Sequence, residues 1–122
     1  MRYSARQLEH FHHAEHAGTL DTDNSNVIVV KEGSIEREKI IHVYLSINNE
    51  TIMSAKFLSY ASVAVIACCE YACRWLEGKS MTEAQLLTAK NIMEGLEMPS
   101  VQLHVAMLVE RCIKTGLSHF MR

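Results

Sequence analysis

The chain has 122 residues, enough to bury one core and too few for two, so residues 1–122 are read as a single domain. Its 48% hydrophobic and 21% charged residues are ordinary for a globular protein and exclude a chain too polar to fold. Twelve Lys plus Arg against fourteen Asp plus Glu leave a formal charge of -2 with no basic run, which argues against nucleic acid as a partner. The opening MRYSARQLEH holds no apolar signal segment, so a cytoplasmic location, reduced cysteines and no membrane partner are expected.

In chain order, Ser4 is placed to cap a helix through Leu8 and Phe11, and Gly18 to close that segment. His10, His12, His13 and His16 crowd into this stretch. If Ala14 and Glu15 carry the helix onward, His12/His16 and His13/His16 stand one turn apart, near enough to share a divalent metal; the competing reading is an exposed polar surface. Asp21 to Asn26 is a polar turn cluster, and Val27 to Val30 a β-branched strand. Glu36-Arg37-Glu38-Lys39 forms an alternating charged entry to the next strand, a pattern that discourages edge pairing. From Ile40 to Ile47 the alternation puts Ile41, Val43, Leu45 and Ile47 on a core face and His42, Tyr44 and Ser46 on the other. Asn48 to Glu50 makes a hairpin into a strand Thr51 to Ser59, in which Met53, Ala55 and Phe57 share a face.

Val63 to Leu76 then runs without a turn signal as a helix that is apolar over most of its girth. Glu70, Arg74 and Glu77 make one narrow charged stripe on it, and Glu70 to Arg74 is a favourable i,i+4 pair. Too short and too charged for the ~20 apolar residues of a bilayer span, it is a core helix. Cys68 and Cys69 face away from the stripe and Cys112 falls on the apolar face of the last helix, as small buried hydrophobes do. Cys69 and Cys73 stand at i,i+4, but that spacing without a second pair elsewhere is a weak metal signal. Gly78 is placed to stop the helix, and Ser80 with Glu83 forms a capping box opening a short helix over Ala84, Leu86 and Leu87. A further helix spans Asn91 to Met98, ending before Pro99. The last runs from about Val101 to Phe120 with Val101, Val105, Leu108, Val109, Cys112, Ile113, Leu117 and Phe120 along one face. Strands grouped first and helices after them predict an α+β domain: an antiparallel sheet covered on one face.

This order and many of its residues resemble the IscU/NifU N-terminal family, the scaffolds on which iron–sulfur clusters are assembled. The family opening of Tyr-Ser, a helix, then His and an aromatic is matched by Tyr3, Ser4, His10 and Phe11, and its Val-Gly turn by Ala17 and Gly18. Its Ala-Lys-Phe and Gly-Cys-Gly-Ser-Ala-Ile-Ala turn look like Ala55-Lys56-Phe57 and Ala61 to Ala67, and its Trp with Gly-Lys like Trp75, Gly78 and Lys79. Its Leu-Pro-Pro-Val-Lys-Ile-His-Cys segment looks like Met98-Pro99-Ser100-Val101-Gln102-Leu103-His104-Val105. The resemblance spans nearly the whole chain and implies a three-stranded antiparallel sheet, helices on one side and a long C-terminal helix.

The family holds its cluster with three cysteines assisted by an Asp and a His. In register, the cysteines are replaced by Arg37, Ser62 and Val105 and the Asp by Lys39, while His104 is kept. A serine hydroxyl is too weakly acidic to replace a thiolate, cations at 37 and 39 would repel iron, and no thiol stands there to accept sulfur as a persulfide. Arg37 and Lys39 could instead mimic a metal-loaded charge state or pair with an acidic partner loop. The resemblance further implies protein partners: a cysteine desulfurase, frataxin-type proteins and a specialised Hsp70 whose recognition segment is weakened here to Met98-Pro99-Ser100-Val101-Gln102. The expectation is a non-catalytic interaction or regulatory module without a cofactor. The alternative is a carrier that holds an iron–sulfur cluster or zinc through substitute ligands among His104, Ser62 and the histidine cluster. No nucleophile with a base at defined spacing, phosphate loop or carboxylate pair points to an enzyme.

Overall fold

The computed structural model describes residues 2–34 and 39–120, the side chains of Ser34 and Lys39 excepted. The expected Arg37, with Glu36 and Glu38, therefore lies outside the described residues, and Lys39 is described only as the first residue of a strand. Helix α1 (Ala5–His12) is opened by a complete capping box: Ser4 Oγ accepts from the Gln7 N–H, and the Gln7 side chain accepts from the Ser4 N–H at 2.8 Å. Strands β1 (Val27–Ser34), β2 (Lys39–Asn48) and β3 (Thr51–Ser59) form an antiparallel sheet in the order β1-β2-β3. Asn49 and Glu50 both adopt positive φ, 51° and 60°, the backbone of a two-residue turn that matches strand twist.

Helices α2 (Val63–Leu76), α3 (Met81–Ala84), α4 (Ala89–Leu96) and α5 (Leu103–Phe120) follow, with a 3-10 turn at Ser100–Gln102. Ile41, Val43, Leu45 and Ile47 face them and are buried, as the alternation predicts. They share one core with Phe57 of β3 and with Ala67, Ala72, Leu76, Val109 and Leu117 of the helices. Each fully buried Leu, Ile or Phe contributes roughly 1.5–3 kcal/mol.

Three expectations need correction. Met53 does not share the face of Ala55 and Phe57: the register slips between Ser46 and Ile47, so Ile52 goes into the core and Met53 is 58% exposed. An inserted residue in one strand flips the side chains on either side of it, and alternation alone does not reveal it. Tyr44, expected on the open face, is buried because it lies on the central strand with Val29 and Lys56 directly opposite. Val101 is 67% exposed, since the tight 3-10 turn before α5 puts it out of phase with the apolar face of that helix.

The free edge of β3 is closed from both ends. His16 O and the Gly18 N–H bond the N–H and carbonyl of Phe57, and Lys79 O and the Gly78 N–H do the same for Ile52. Gly78 takes φ 86°, which glycine accepts without strain, and so turns the chain from α2 onto the sheet edge.

Candidate functional site

Ser59 pairs with Ile41 and its hydroxyl bonds Ile40 O at 2.7 Å, so the end of β3 lies beside the start of β2. Ser62 follows at once as the N-cap of α2, exposed, without a side-chain capping bond. Helix α5 runs antiparallel to β1: Arg111 reaches Glu32 at 3.6 Å, whereas a Cβ on Gly116, further along α5, would meet the Val30 side chain and that of Leu45, which lies opposite Ile28. Its first turn is therefore directed to the sheet end marked by Gly33, Ile40 and Ser59. The fold thus brings Ser62, His104, Val105 and the start of β2 to one end of the sheet.

The donors there are poor. Val105 is 4% exposed and packs in the core, offering only hydrocarbon, while His104, the residue before it, is exposed. Among the described residues no group of three His, Cys, Asp or Glu side chains is positioned to share a metal.

The four thiols lie elsewhere, in the α2–α5 interior, all buried and none in a disulfide. Burial pushes Cys68 and Cys112 up to about 12 and Cys69 and Cys73 well above their ordinary value, so all four stay protonated near neutral pH. The Cys68 thiol lies 3.4 Å from Met98 Sδ. Native protein is expected to label at none of the four with a thiol reagent in minutes, and at all four once unfolded in urea; prompt native labelling would contradict the packing.

The segment Met98 to Gln102, expected as a weakened recognition segment, is divided by the fold. Met98 and Gln102 are buried, Gln102 accepting at 2.6 Å from Gln7 on α1, whereas Ser100 and Val101 are exposed. A partner reaching this segment meets Pro99, Ser100 and Val101, and Met98 and Gln102 serve the core.

The histidine cluster is dispersed, which corrects the expected one-turn pairs. Helix α1 ends at His12, His13 is its C-cap, and His16 lies beyond it in the strand-like stretch on β3. His12 and His13 are exposed, while His10 is buried with Nδ1 2.8 Å from Arg6 O. His16 points inward instead. Its Nδ1 is 2.7 Å from Glu70 Oε2, its Nε2 is 2.7 Å from Glu77 Oε1, and its backbone N–H bonds Glu70 Oε1 at 2.9 Å. Both ring nitrogens face carboxylates, so both donate only as imidazolium.

Glu70, read as part of the one narrow charged stripe on this helix, is fully buried, and α1 with residues 13–18 covers it. Arg74 Nε bonds Glu70 at 2.7 Å, and its other nitrogens take both Glu9 oxygens at 2.9 and 3.0 Å and His13 O at 2.9 Å. Glu77 closes the array by accepting the Ala55 N–H at 3.0 Å. This cluster welds α1 to α2 and to β3. Sequence spacing shows only its Glu70–Arg74 pair; the remaining signal is an acid set in an otherwise apolar helix, which demands a partner from elsewhere.

These contacts predict a stability optimum in mild acid. Burial opposes charge on His16, but the bonds to Glu77 and Glu70 outweigh it and hold its pKa above 6.5. That contribution is complete below 6.5 and lost as pH rises through the folded value. Burial likewise opposes charge on Glu77, and the Ala55 N–H and His16 overcome it, so its pKa falls below 4.5; the Arg74 bond takes Glu9 down to about 2. Their contributions are complete above 4.5 and fade in acid. The urea midpoint is expected to be higher at about pH 5.5 than at about pH 8.5, with His16→Asn flattening the alkaline limb.

Residues 2–122 match the family described as NifU-like N-terminal domain. The iron–sulfur cluster assembly scaffold protein IscU of Escherichia coli K12 is 29% identical over 121 residues, covering 98% of this chain and 94% of that protein. The IscU of Haemophilus influenzae is 30% identical over 121 residues, with 98% and 96% covered. Among solved structures, a protein of Fervidobacterium islandicum AW-1 described as an assembly scaffold of the SUF system superposes with a TM-score of 0.74 at 15% identity, over 94% of this chain and 96% of that one. The N-terminal part of a NifU-like protein of Brucella abortus gives 0.57 at 17% identity, over 94% and 80%. Both confirm the three-stranded α+β fold with its long C-terminal helix.

Proposed function

The chain belongs to the family of NifU-like N-terminal domains, and on that premise we propose that it is a non-catalytic docking module of iron–sulfur cluster assembly. Its relatives assemble clusters; this chain keeps their shape and presents no thiolate where they hold the cargo. The carrying observation is the pair Ser62 and Val105 at the sheet end: one is an exposed hydroxyl, the other a side chain without a donor atom. The four thiols supply no substitute, because they are buried and protonated. Its partner is a cysteine desulfurase or another assembly component, met through the surface that scaffold relatives share with it. Arg37 and Lys39 would add positive charge at that surface, suited to an acidic partner loop. No described helix is long and apolar enough to cross a membrane.

The test is anaerobic reconstitution of the untagged chain with iron, cysteine and a desulfurase. Iron and sulfide far below one per chain are expected, together with saturable binding to the desulfurase by calorimetry. Stoichiometric iron and sulfide would overturn the reading in favour of a carrier, and His104→Ala would then identify the substitute ligand. An absence of both cluster and binding would sink the docking role as well.

A further inference from the structure

Away from the sheet end, the exposed side of α2 and the facing turn of α4 enclose a groove of ≈ 590 Å³ lined by Tyr71, Trp75, Leu86, Asn91, Glu94 and Gly95. Tyr71 and Trp75 stand nine and thirteen residues after Ser62, roughly 14–20 Å along the helix, so the groove is separate from the site above. Its volume is within the range of small-ligand sites.

The aromatic wall is fixed in place. Tyr71 is held between the His10 ring, 5.8 Å away, and the α4 backbone, which approaches so closely that a Cβ on Gly95 would stand 2.3 Å from the phenol ring. Trp75 already accepts a cation: Lys79 Nζ lies 5.0 Å from its ring centroid. In the same lining, the Glu94 side chain is 65% exposed and, among the described residues, meets a cation only at a long 3.9 Å, Lys90 on its own helix. The Asn91 Oδ1 is committed to Thr88 in the α4 capping box. Leu86, 69% exposed, supplies an apolar rim.

The Trp75 π-face, an apolar rim and a loosely engaged carboxylate lining one groove are complementary to a planar cation. A guanidinium stacks on aromatic rings, is weakly hydrated, and meets a carboxylate with a two-pronged donor set. We infer that this groove receives an arginine side chain carried by a partner polypeptide. The partner's segment lies along the α2–α4 seam, its guanidinium replacing Lys79 Nζ against Trp75 and pairing with Glu94, displacing the weak Lys90 contact. The net charge of -2 favours approach of a basic segment. This inference holds whether or not the sheet end carries a cluster.

Trp75 is the only tryptophan, so its fluorescence reports on the groove directly. The full chain is titrated with acetyl-Ala-Arg-Ala-amide, with the same peptide bearing citrulline or norleucine, and with free L-arginine, while amide shifts of Glu94 and Gly95 are followed by NMR. The arginine peptide is expected to give a saturable change by both readouts, about tenfold weaker with citrulline and with Glu94→Gln. Glu94→Gln is a surface change whose unfolding curve should match the parent, separating lost recognition from lost fold. Equal responses to the citrulline or norleucine peptides would reduce the groove to an apolar surface and overturn the inference. Free arginine binding as tightly as the peptide would overturn the polypeptide partner, and no response by either readout would overturn the site.

Discussion

Glu70→Ala is expected to lower unfolding stability by about 3 kcal/mol or more, near the cost of breaking a buried ion pair from one side. The carboxylate is fully buried and accepts from His16 twice and from Arg74 once. Its removal leaves the His16 N–H without its acceptor and two positively charged groups beside an apolar helix with only Glu9 and Glu77 to oppose them. Against a typical total of about 5–15 kcal/mol that is a large fraction. Glu70→Gln should lie between, since an amide oxygen can still accept from the His16 N–H but the charge is gone. Urea midpoints at about pH 5.5 decide it; a change below about 1 kcal/mol for Glu70→Ala would show that the cluster holds geometry without holding the fold.

Restoring thiols is the second large effect. The combined variant Arg37→Cys, Lys39→Asp, Ser62→Cys and Val105→Cys should pass from no bound cluster to near-stoichiometric iron and sulfide on anaerobic reconstitution, with His104 available beside them. Ser62 is already exposed, so its replacement costs little; at Val105 the new thiol must find a rotamer toward solvent from a core position, and a cavity-type cost of about 1 kcal/mol is expected there. Chain by chain, Ser62→Cys alone should gain no cluster, because a single thiolate leaves most of the coordination unfilled. If the full set folds and still takes up neither iron nor sulfide, the register that places 37, 62 and 105 at the ligand positions is wrong.

Much of the scaffold was legible because its signals are local. Ser4 and Ser80 cap where their boxes predict, Thr51–Ser59 and Val63–Leu76 match their expected spans, and the hairpin at Asn49-Glu50 carries positive φ at both residues. The helix after Ser80 is shorter than expected, ending at Ala84, and the one after Thr88 spans Ala89–Leu96 because Glu97 turns left-handed before Met98. What stayed hidden depends on contacts between distant segments. The Met53 bulge comes from fitting β3 to β2, and the inward turn of His16 comes from a carboxylate 54 residues later. Ala14 and Glu15 have adequate helix propensity, yet α1 stops because pairing His16 to Gly18 with β3 and His16 with Glu70 outweighs another helical turn. At the candidate site the replacement of the family's cysteines rests on the register of the resemblance, whereas the different exposure of His104 and Val105 depends on how α5 packs against β1.

The fastening of the N-terminal segment also constrains how the chain is made. Ser4 Oγ donates to Leu96 O and Gln7 bonds Gln102, partners 92 and 95 residues away. A chain emerging from the ribosome N-terminus first therefore holds its opening helix by the α2 and β3 contacts alone until nearly the entire domain has been synthesised. Vectorial synthesis makes this helix first and completes its fastening among the last, so its Leu96 and Gln102 contacts report on a finished chain.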